Sequence, residues 1–223
     1  MPDQFLERVT RRLADVPGVG AVVLGGSRAR GMATTGSDYD LGLYFVSQTG
    51  LDTDCLLQPV RSLVDDPDAA AVTPVGGWGP RIVGAGWLTV SGRKLDLLYR
   101  NAEAVAEVIR ACHDGRVTMD YQPGHPHGFC SATWMGEVAL CQPLHDPRNM
   151  IAESKAMAWL YPEQLPEALI QRFQWEVLFS IENGESAIAR GQQTHTWIRH
   201  VEGARRAAVR KAGGCRKHWV YPR

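Results

Sequence analysis

The sequence predicts an α+β fold, with a mixed sheet flanked by helices in its first half and a helical second half. Short apolar runs of strand length occur at residues 19–24, 41–46, 87–90 and 95–99, all in the first half. After residue 130 the apolar residues recur at helix spacing. Between the halves, residues 121–129 read YQPGHPHGF, where two prolines and two glycines predict a loop. We therefore predict domains at 1–120 and 121–223.

Amphipathic spacing predicts helices on both sides of that loop. Those in the first half span residues 3–16, 52–64 and 101–113. Residues 72–86 are rich in glycine and proline and predict an irregular strand or loop, and Ser91-Gly92-Arg93-Lys94 predicts a hairpin turn. In the second half, helices are expected at 131–142, at 148–161 and, longest of all, after Pro162. Trp134 and Trp175 are expected in the core of these helices.

Composition excludes several classes of function. Lys plus Arg equals Asp plus Glu, so no overall positive field attracts nucleic acid. No apolar run is long enough to span a membrane, and the N-terminus lacks the apolar core of a signal peptide. Five scattered cysteines without a C-x-x-C pair are interpreted as reduced thiols, and we expect a cytoplasmic protein without a zinc site.

The stretch from residue 22 to 45 carries the strongest chemical signal, VVLGGSRARGMATTGSDYDLGLYF. An apolar run ends in the small-residue turn Gly25-Gly26-Ser27, and ten intervening residues separate Ser27 from Asp38, which Asp40 follows two positions later. On a strand, residues two apart point to the same face, so the two carboxylates are expected side by side. Such carboxylates repel unless a hard cation such as Mg²⁺ lies between them. Two aspartates at the edge of a strand are the alternative for a bare Asp-x-Asp.

Gly26-Ser27, ten residues and Asp38-Tyr39-Asp40, with apolar strands on both sides, resemble the signature of the DNA polymerase beta-type nucleotidyltransferase superfamily. The variant is similar to stand-alone bacterial enzymes of the aminoglycoside, lincosamide and antitoxin types. The resemblance implies a nucleotidyltransferase fold and the transfer of a nucleoside monophosphate, AMP from ATP, onto the hydroxyl of a small acceptor with release of pyrophosphate. It also implies two Mg²⁺ ions.

The third carboxylate of the implied site is Asp96, the only acidic residue in the apolar run 95–99. A lone buried carboxylate needs a partner, so a salt bridge to Arg93, Lys94 or Arg100 is the alternative. By resemblance, Asp38 and Asp40 hold the metal of the triphosphate, and Asp40 with Asp96 the metal that activates the acceptor.

Five further residues are expected to bind the nucleotide phosphates. Glycine lets the backbone approach the phosphates closely, and a helix N-terminus offers free N–H groups. Arg28 is expected to point away. The five candidates are Gly25, Gly26, Ser27, Arg30 and Ser37.

Four residues are weaker candidates for the acceptor side: His125 and His127 in the proline-rich loop, and Glu137 and Glu176 on helices of the second half. Loop ordering is the alternative role for the histidines, and surface salt bridges for the glutamates.

Residues 190–223 carry nine Lys or Arg against one acid, Glu202, which predicts a solvated basic helix and tail or, alternatively, an anion-facing lid. This short ending leaves open a homodimer in which a second subunit completes the pocket. An antitoxin-like module that adenylylates or neutralises a partner protein is the alternative function.

Overall fold

The computed structural model describes residues 3–122 and 125–192, and the side chains of residues 122–127 lie outside the description. The helices are α1 Gln4–Ala14, α2 Gly26–Ala29, α3 Thr53–Leu63, α4 Ala102–His113, α5 Ala132–Leu140, α6 Met150–Trp159 and α7 Leu165–Ala189. The strands are β1 Val19–Leu24, β2 Tyr39–Phe45, β3 Ala85–Val90, β4 Arg93–Asn101, β5 Met119–Gln122, β6 His125–Cys130 and β7 Gln142–His145. A short 3₁₀ turn, Pro67–Ala69, follows α3.

A five-stranded mixed sheet forms the framework, in the order β3-β4-β2-β1-β7. Strands β2 and β4 pair in parallel, whereas the other neighbours in this sheet pair antiparallel. The parallel pair requires a long crossover, which the chain makes through α3 and β3. The predicted α+β class, with a mixed sheet and a helical C-terminal region, is confirmed.

One face of this sheet supplies the main core. Along β4 burial alternates, with Leu95, Leu97 and Tyr99 fully buried and Asp96 and Leu98 only partly buried. The buried set packs with Leu41 and Leu43 of β2 and with apolar residues of α1 and α3. Because side chains alternate between faces with a period of two, Asp96 is directed away from this core.

The hairpin between β3 and β4 turns through Ser91 and Gly92, at φ 52° and 68°. Two positive φ values in a two-residue turn match the twist of the adjoining strands. The carboxylate of Asp65 accepts hydrogen bonds from the N–H groups of Ser91 at 2.6 Å and Gly92 at 2.7 Å. The predicted hairpin is therefore confirmed, with a tighter turn than expected.

Two predictions for the middle of the chain are wrong. Residues 121–129 were expected to form a loop, but β5 and β6 pair there as an antiparallel ribbon. The helix expected to reach residue 142 ends at Leu140, and Gln142–His145 instead pairs with β1 at the edge of the sheet. Proline is tolerated at a sheet edge, where an N–H group is not needed for pairing.

The chain divides into two compact units, Met1–Ile109 with Met119–Leu160 and Arg110–Thr118 with Tyr161–Arg223. The first unit therefore includes β7, α5 and α6, which differs from a predicted boundary after residue 120. The second contains α7, the predicted longest helix, with 25 residues.

Trp175 of α7 is 64% exposed, so its predicted core position is wrong, whereas Trp134 of α5 is fully buried as predicted. Across the described residues, the helices are too short or too polar to span a bilayer.

Candidate active site

Asp40 and Asp96 are neighbours across the parallel strands β2 and β4. The pairing register sets Asp40 opposite Asp96 and Leu41 opposite Leu97. Paired residues on adjacent strands direct their side chains to the same face, and Leu41 and Leu97 are both in the core. The two carboxylates therefore lie together on the opposite face of the sheet. The sequence singled out Asp96 as the acidic residue of an apolar run, and the resemblance assigned it to the site with Asp40; the register between distant strands brings the two together.

Asp38 immediately precedes β2, and Arg28 of α2 holds its backbone. The Nε of Arg28 donates to the carbonyl oxygen of Asp38 at 3.1 Å, and one NH2 group donates to the carbonyl oxygen of Ser37 at 2.6 Å. The guanidinium also lies 3.7 Å from the centre of the Tyr39 ring. Arg28 is thus engaged with the backbone of the segment that presents Asp38, and it orders that segment.

The turn that leaves β1 lies against Asp40. The N–H of Gly25 donates to the carbonyl oxygen of Asp40 at 2.8 Å. Gly26 has a positive φ of +61°, and a Cβ atom there would overlap Oδ2 of Asp40. A Cβ atom on Gly25 would instead make ordinary contacts with Asp40, the nearest at 3.6 Å. Of the two glycines in the turn, Gly26 is the one that the close approach requires.

Burial and neighbouring negative charge oppose ionisation of the cluster. The pKa of Asp40 is raised above its ordinary value, first by burial and then by the charges of Asp96, Asp38 and Glu137, while Arg30 lowers it. The pKa of Asp96 is raised by burial and by Asp38, and Lys94 lowers it. A bound cation would relieve this repulsion between the carboxylates.

The alternative salt-bridge partners of Asp96 are mostly engaged elsewhere. Arg93 lies over the ring of Phe5, 4.6 Å from its centre, and Arg100 pairs with Glu137. The charge of Lys94 lowers the pKa of Asp96.

Glu137 of α5 joins the cluster through Arg100 of β4. An NH2 group of Arg100 donates to Oε2 of Glu137 at 3.0 Å, and Arg100 is 3% exposed, whereas the Glu137 side chain is 37% exposed. A buried guanidinium requires such a partner. The sequence proposed Glu137 for the acceptor side but missed its ion pair with Arg100. A signal was present, because Arg100 directly follows the apolar run 95–99, where a charged residue is expected to be buried.

The remaining phosphate candidates lie in or beside the turn. Ser27 lies in α2, which begins at Gly26. Arg30 follows α2, and its Nε donates to the carbonyl oxygen of Gly26 at 3.2 Å. The hydroxyl of Ser37 accepts from the N–H of Thr34 at 2.9 Å and so closes the loop before Asp38. The assignment of these residues to phosphate binding stays a prediction.

The other acceptor candidates are placed as follows. The side chains of His125 and His127, in β6, lie outside the described residues. Glu176 lies in α7, in the second unit, where it is buried and its Oε1 pairs with Arg172 at 3.3 Å. The basic segment beyond residue 192 also lies outside the described part of the chain.

The resemblance implies Mg²⁺ ions, for which Asp38, Asp40 and Asp96 are the candidate ligands. Within residues 3–122 and 125–192, no three His, Cys, Asp or Glu side chains are arranged to hold one metal ion. Asp38, Asp40 and Asp96 nevertheless offer only carboxylate oxygens, which hard cations prefer, and two of them have raised pKa values. These residues fit the chemistry of a divalent cation, although they are not assembled around one.

A protein-family model matches the segment of the chain that contains Asp38 and Asp40. Residues 3–67 match the family model of the nucleotidyltransferase domain, which covers β1, α2 and β2 with Asp38 and Asp40. The search of curated proteins gave no significant match. Among solved structures, the chain is similar to a nucleotidyltransferase-like protein from Exiguobacterium sibiricum 255-15, at 12% identity and a TM-score of 0.40. That alignment covers 93% of this chain and 58% of the other, so this chain spans less than two thirds of its length.

Proposed function

Because residues 3–67 belong to the nucleotidyltransferase domain family, we propose that this protein is a metal-dependent nucleotidyltransferase. It moves AMP from ATP onto a hydroxyl of a small-molecule acceptor and releases pyrophosphate. The observation that carries the proposal is the pairing of Asp40 with Asp96 beside the Gly26 turn. This pairing adds a carboxylate from outside the matched segment to the two within it.

Asp38, Asp40 and Asp96 are the residues that would hold Mg²⁺. When bound, divalent cations neutralise charge on the triphosphate and favour the ionised acceptor oxygen. In the transfer, the acceptor oxygen forms a bond to the α-phosphorus, the bond from that phosphorus to the pyrophosphate oxygen breaks, and the acceptor proton passes to solvent or a base.

The surrounding residues position the reactants. Gly26 lets the backbone of the turn pass close to Asp40, with Ser27 and Arg30 beside it for the phosphates. Arg28 holds the backbone of Ser37 and Asp38, so that Asp38 keeps its place relative to the turn. Because phosphoryl chemistry depends mainly on positioning and positive charge, these contacts are expected to affect the rate strongly.

The test is transfer of label from α-labelled ATP in the presence of Mg²⁺, with pyrophosphate release measured in parallel. Other nucleoside triphosphates serve as donors, and hydroxyl compounds including aminoglycosides and lincosamides serve as acceptors. We expect Mg²⁺-dependent transfer that Asp40→Asn abolishes. Label on a co-purified protein would favour the antitoxin-like alternative. Absence of pyrophosphate release from every donor and acceptor would contradict the proposal.

A further inference from the structure

An exposed aromatic pair lies beside the carboxylate cluster. Trp87 of β3 is 53% exposed, and its ring centre lies 4.5 Å from that of the half-buried Trp78, with the planes tilted by 40°. A tryptophan in water usually packs its ring against protein, because burial of aromatic surface is strongly favourable. Here the two indoles pack against each other at a tilt and leave much of Trp87 uncovered.

The sheet register fixes where this pair lies. Trp87 pairs with Asp96, and Asp96 pairs with Asp40. Leu88 and Val90, its neighbours in β3, are buried in the core, so Trp87 projects from the same face as the two carboxylates. One row across the sheet therefore runs from the Gly26 turn through Asp40 and Asp96 to Trp87.

The order of residues in this row matches the positions of the leaving group and the attacking group in a transfer reaction. In phosphoryl transfer the attacking and leaving oxygens lie roughly in line. With the triphosphate at the Gly26 turn, pyrophosphate leaves on that side, and the acceptor approaches from the side of Asp96 and Trp87. Adjacent strands are about 4.8 Å apart, so the backbone of Trp87 lies about 10 Å from that of Asp40, a distance that one ring-sized molecule spans.

We propose that Trp78 and Trp87 form the acceptor subsite, and that they stack on a flat ring of a hydroxyl-bearing small molecule. The subsite rests on the proposed function, and it names a class of acceptor. Indole faces bind flat apolar rings by offset or edge-to-face stacking, which orients the ring as well as holding it. The hydroxyl of such a molecule then reaches Asp96, one strand away.

Binding is tested first, because it needs no turnover. The whole chain, labelled with fluorotryptophan, is observed by fluorine NMR, and Trp87→Phe and Trp78→Phe assign the two signals. With Mg²⁺ and a non-hydrolysable ATP analogue present, the probes are benzyl alcohol, which has a flat ring, and hexanol, which has none. We expect saturable shifts of both signals with benzyl alcohol, much smaller shifts with hexanol, and an unmoved signal from Trp159, which is 75% exposed on α6.

Kinetics provide the second test, with benzyl alcohol as the acceptor probe and pyrophosphate release as the readout. Trp87→Ala is expected to raise the KM for the alcohol about tenfold, the effect of about 1.4 kcal/mol of lost stacking, with kcat and the KM for ATP little changed. Trp87→Phe should restore most of the affinity. Trp159→Ala is the matched control, since it removes an exposed tryptophan elsewhere in the same unit.

The outcomes separate the subsite from the reaction. Unmoved Trp78 and Trp87 signals, or signals that move with the ATP analogue and not with benzyl alcohol, overturn the acceptor subsite. A KM unchanged in Trp87→Ala during active turnover overturns it as well and leaves the proposed function intact. Ring-dependent shifts without pyrophosphate release from any donor would show a ring-binding site at Trp78 and Trp87 but contradict the transferase, and with it the acceptor role of that site.

Discussion

Gly26 lies so close to Asp40 that a Cβ atom added to the glycine would overlap the Oδ2 atom of the carboxylate. The turn after β1 and the first residues of β2 are thus packed against each other at backbone level. The Gly25 N–H, which donates to the Asp40 carbonyl oxygen, holds the same approach. The geometry of the candidate site depends on this contact.

We predict that Gly26→Ala abolishes transfer and lowers the free energy of unfolding, because the methyl group displaces Asp40. Gly31→Ala is the matched control: Gly31 has a φ of +67°, but nothing lies within 4 Å of its added Cβ atom. The control variant should lose only the unfolding free energy that corresponds to a left-handed backbone at an L-residue, about 1–2 kcal/mol. Urea unfolding measures both. Equal losses of unfolding free energy in the two variants, with activity retained in Gly26→Ala, would show that the contact with Asp40 is unimportant.

Asp40→Asn is expected to stabilise the metal-free protein near pH 7 while removing activity. Folding raises the pKa of Asp40 above its ordinary value of 3.8. At a pH between 3.8 and the raised pKa, the folded state therefore binds more protons than the unfolded state. Wild-type stability therefore falls as the pH rises through this interval, and the variant lacks this loss. Urea midpoints measured with EDTA from pH 3.5 to 8 should show an advantage for the variant that shrinks toward acid pH.

Mg²⁺ provides the complement to that experiment. A cation bound by the ionised carboxylates stabilises the folded state by mass action, so added Mg²⁺ should raise the midpoint of the wild type more than that of Asp40→Asn. If Asp40→Asn unfolds under conditions in which the wild type is native, Asp40 has a structural role instead.

Arg28→Ala is expected to lower kcat and Mg²⁺ affinity strongly, while it lowers the free energy of unfolding only moderately. The variant loses two hydrogen bonds to the carbonyl oxygens of Ser37 and Asp38 and the contact with the Tyr39 ring, about 2–3 kcal/mol in all. Arg28→Lys should recover only part of the activity, because a single ammonium group does not reproduce the planar fork.

Arg8→Ala is the control for this effect. Its guanidinium bonds the exposed hydroxyl of Ser91 at 2.8 Å, far along the chain from the aspartate segment. Activity assays, Mg²⁺ titrations and urea unfolding on the three variants distinguish a positioning role from a general loss of folding. Full activity in Arg28→Ala would contradict the positioning role.

Glu137→Ala is expected to destabilise the fold more than Glu137→Gln. Removal of the carboxylate leaves the buried Arg100 without its partner, whereas glutamine keeps an oxygen that can accept the hydrogen bond. Because Glu137 is partly exposed, we expect about 1–3 kcal/mol for alanine and less for glutamine. Both changes should also lower the pKa of Asp40, one of whose charged neighbours is Glu137.

Carboxyl resonances followed by NMR titration report that pKa, and thermal unfolding reports the stability difference. Equal stability of Glu137→Ala and the wild type would show that water satisfies Arg100. An unchanged Asp40 titration in Glu137→Gln would place Glu137 outside the electrostatic reach of the cluster.

Local patterns predicted the elements of the first half well. The periodicity of residues 3–16 and 52–64 predicts α1 and α3, and Asp3 and Asp52 cap these helices through the N–H groups of Phe5 and Cys55. The strands on either side of the Gly26 turn also lie where the apolar runs predict. These features depend on residues near one another in the chain, so the sequence contains the information directly.

The errors occurred where distant parts of the chain meet. Gln142–His145 resembles the end of a helix locally, and its pairing with β1 comes from a strand more than one hundred residues away. The exposure of Trp175 likewise depends on which face of α7 is covered, and an apolar stripe alone does not determine that.

For the candidate site, the order of residues along the chain supplies the residue types: a small-residue turn, two aspartates after ten intervening residues, and a third carboxylate in an apolar strand. The folded chain adds that Asp40 pairs with Asp96, that Arg28 holds the backbone of Asp38, and that Glu137 pairs with Arg100. The fold also places Trp87 at the end of the row that contains Asp40 and Asp96. Residue types and short spacings fix local conformation, whereas strand register and helix packing are set by the burial of the whole core.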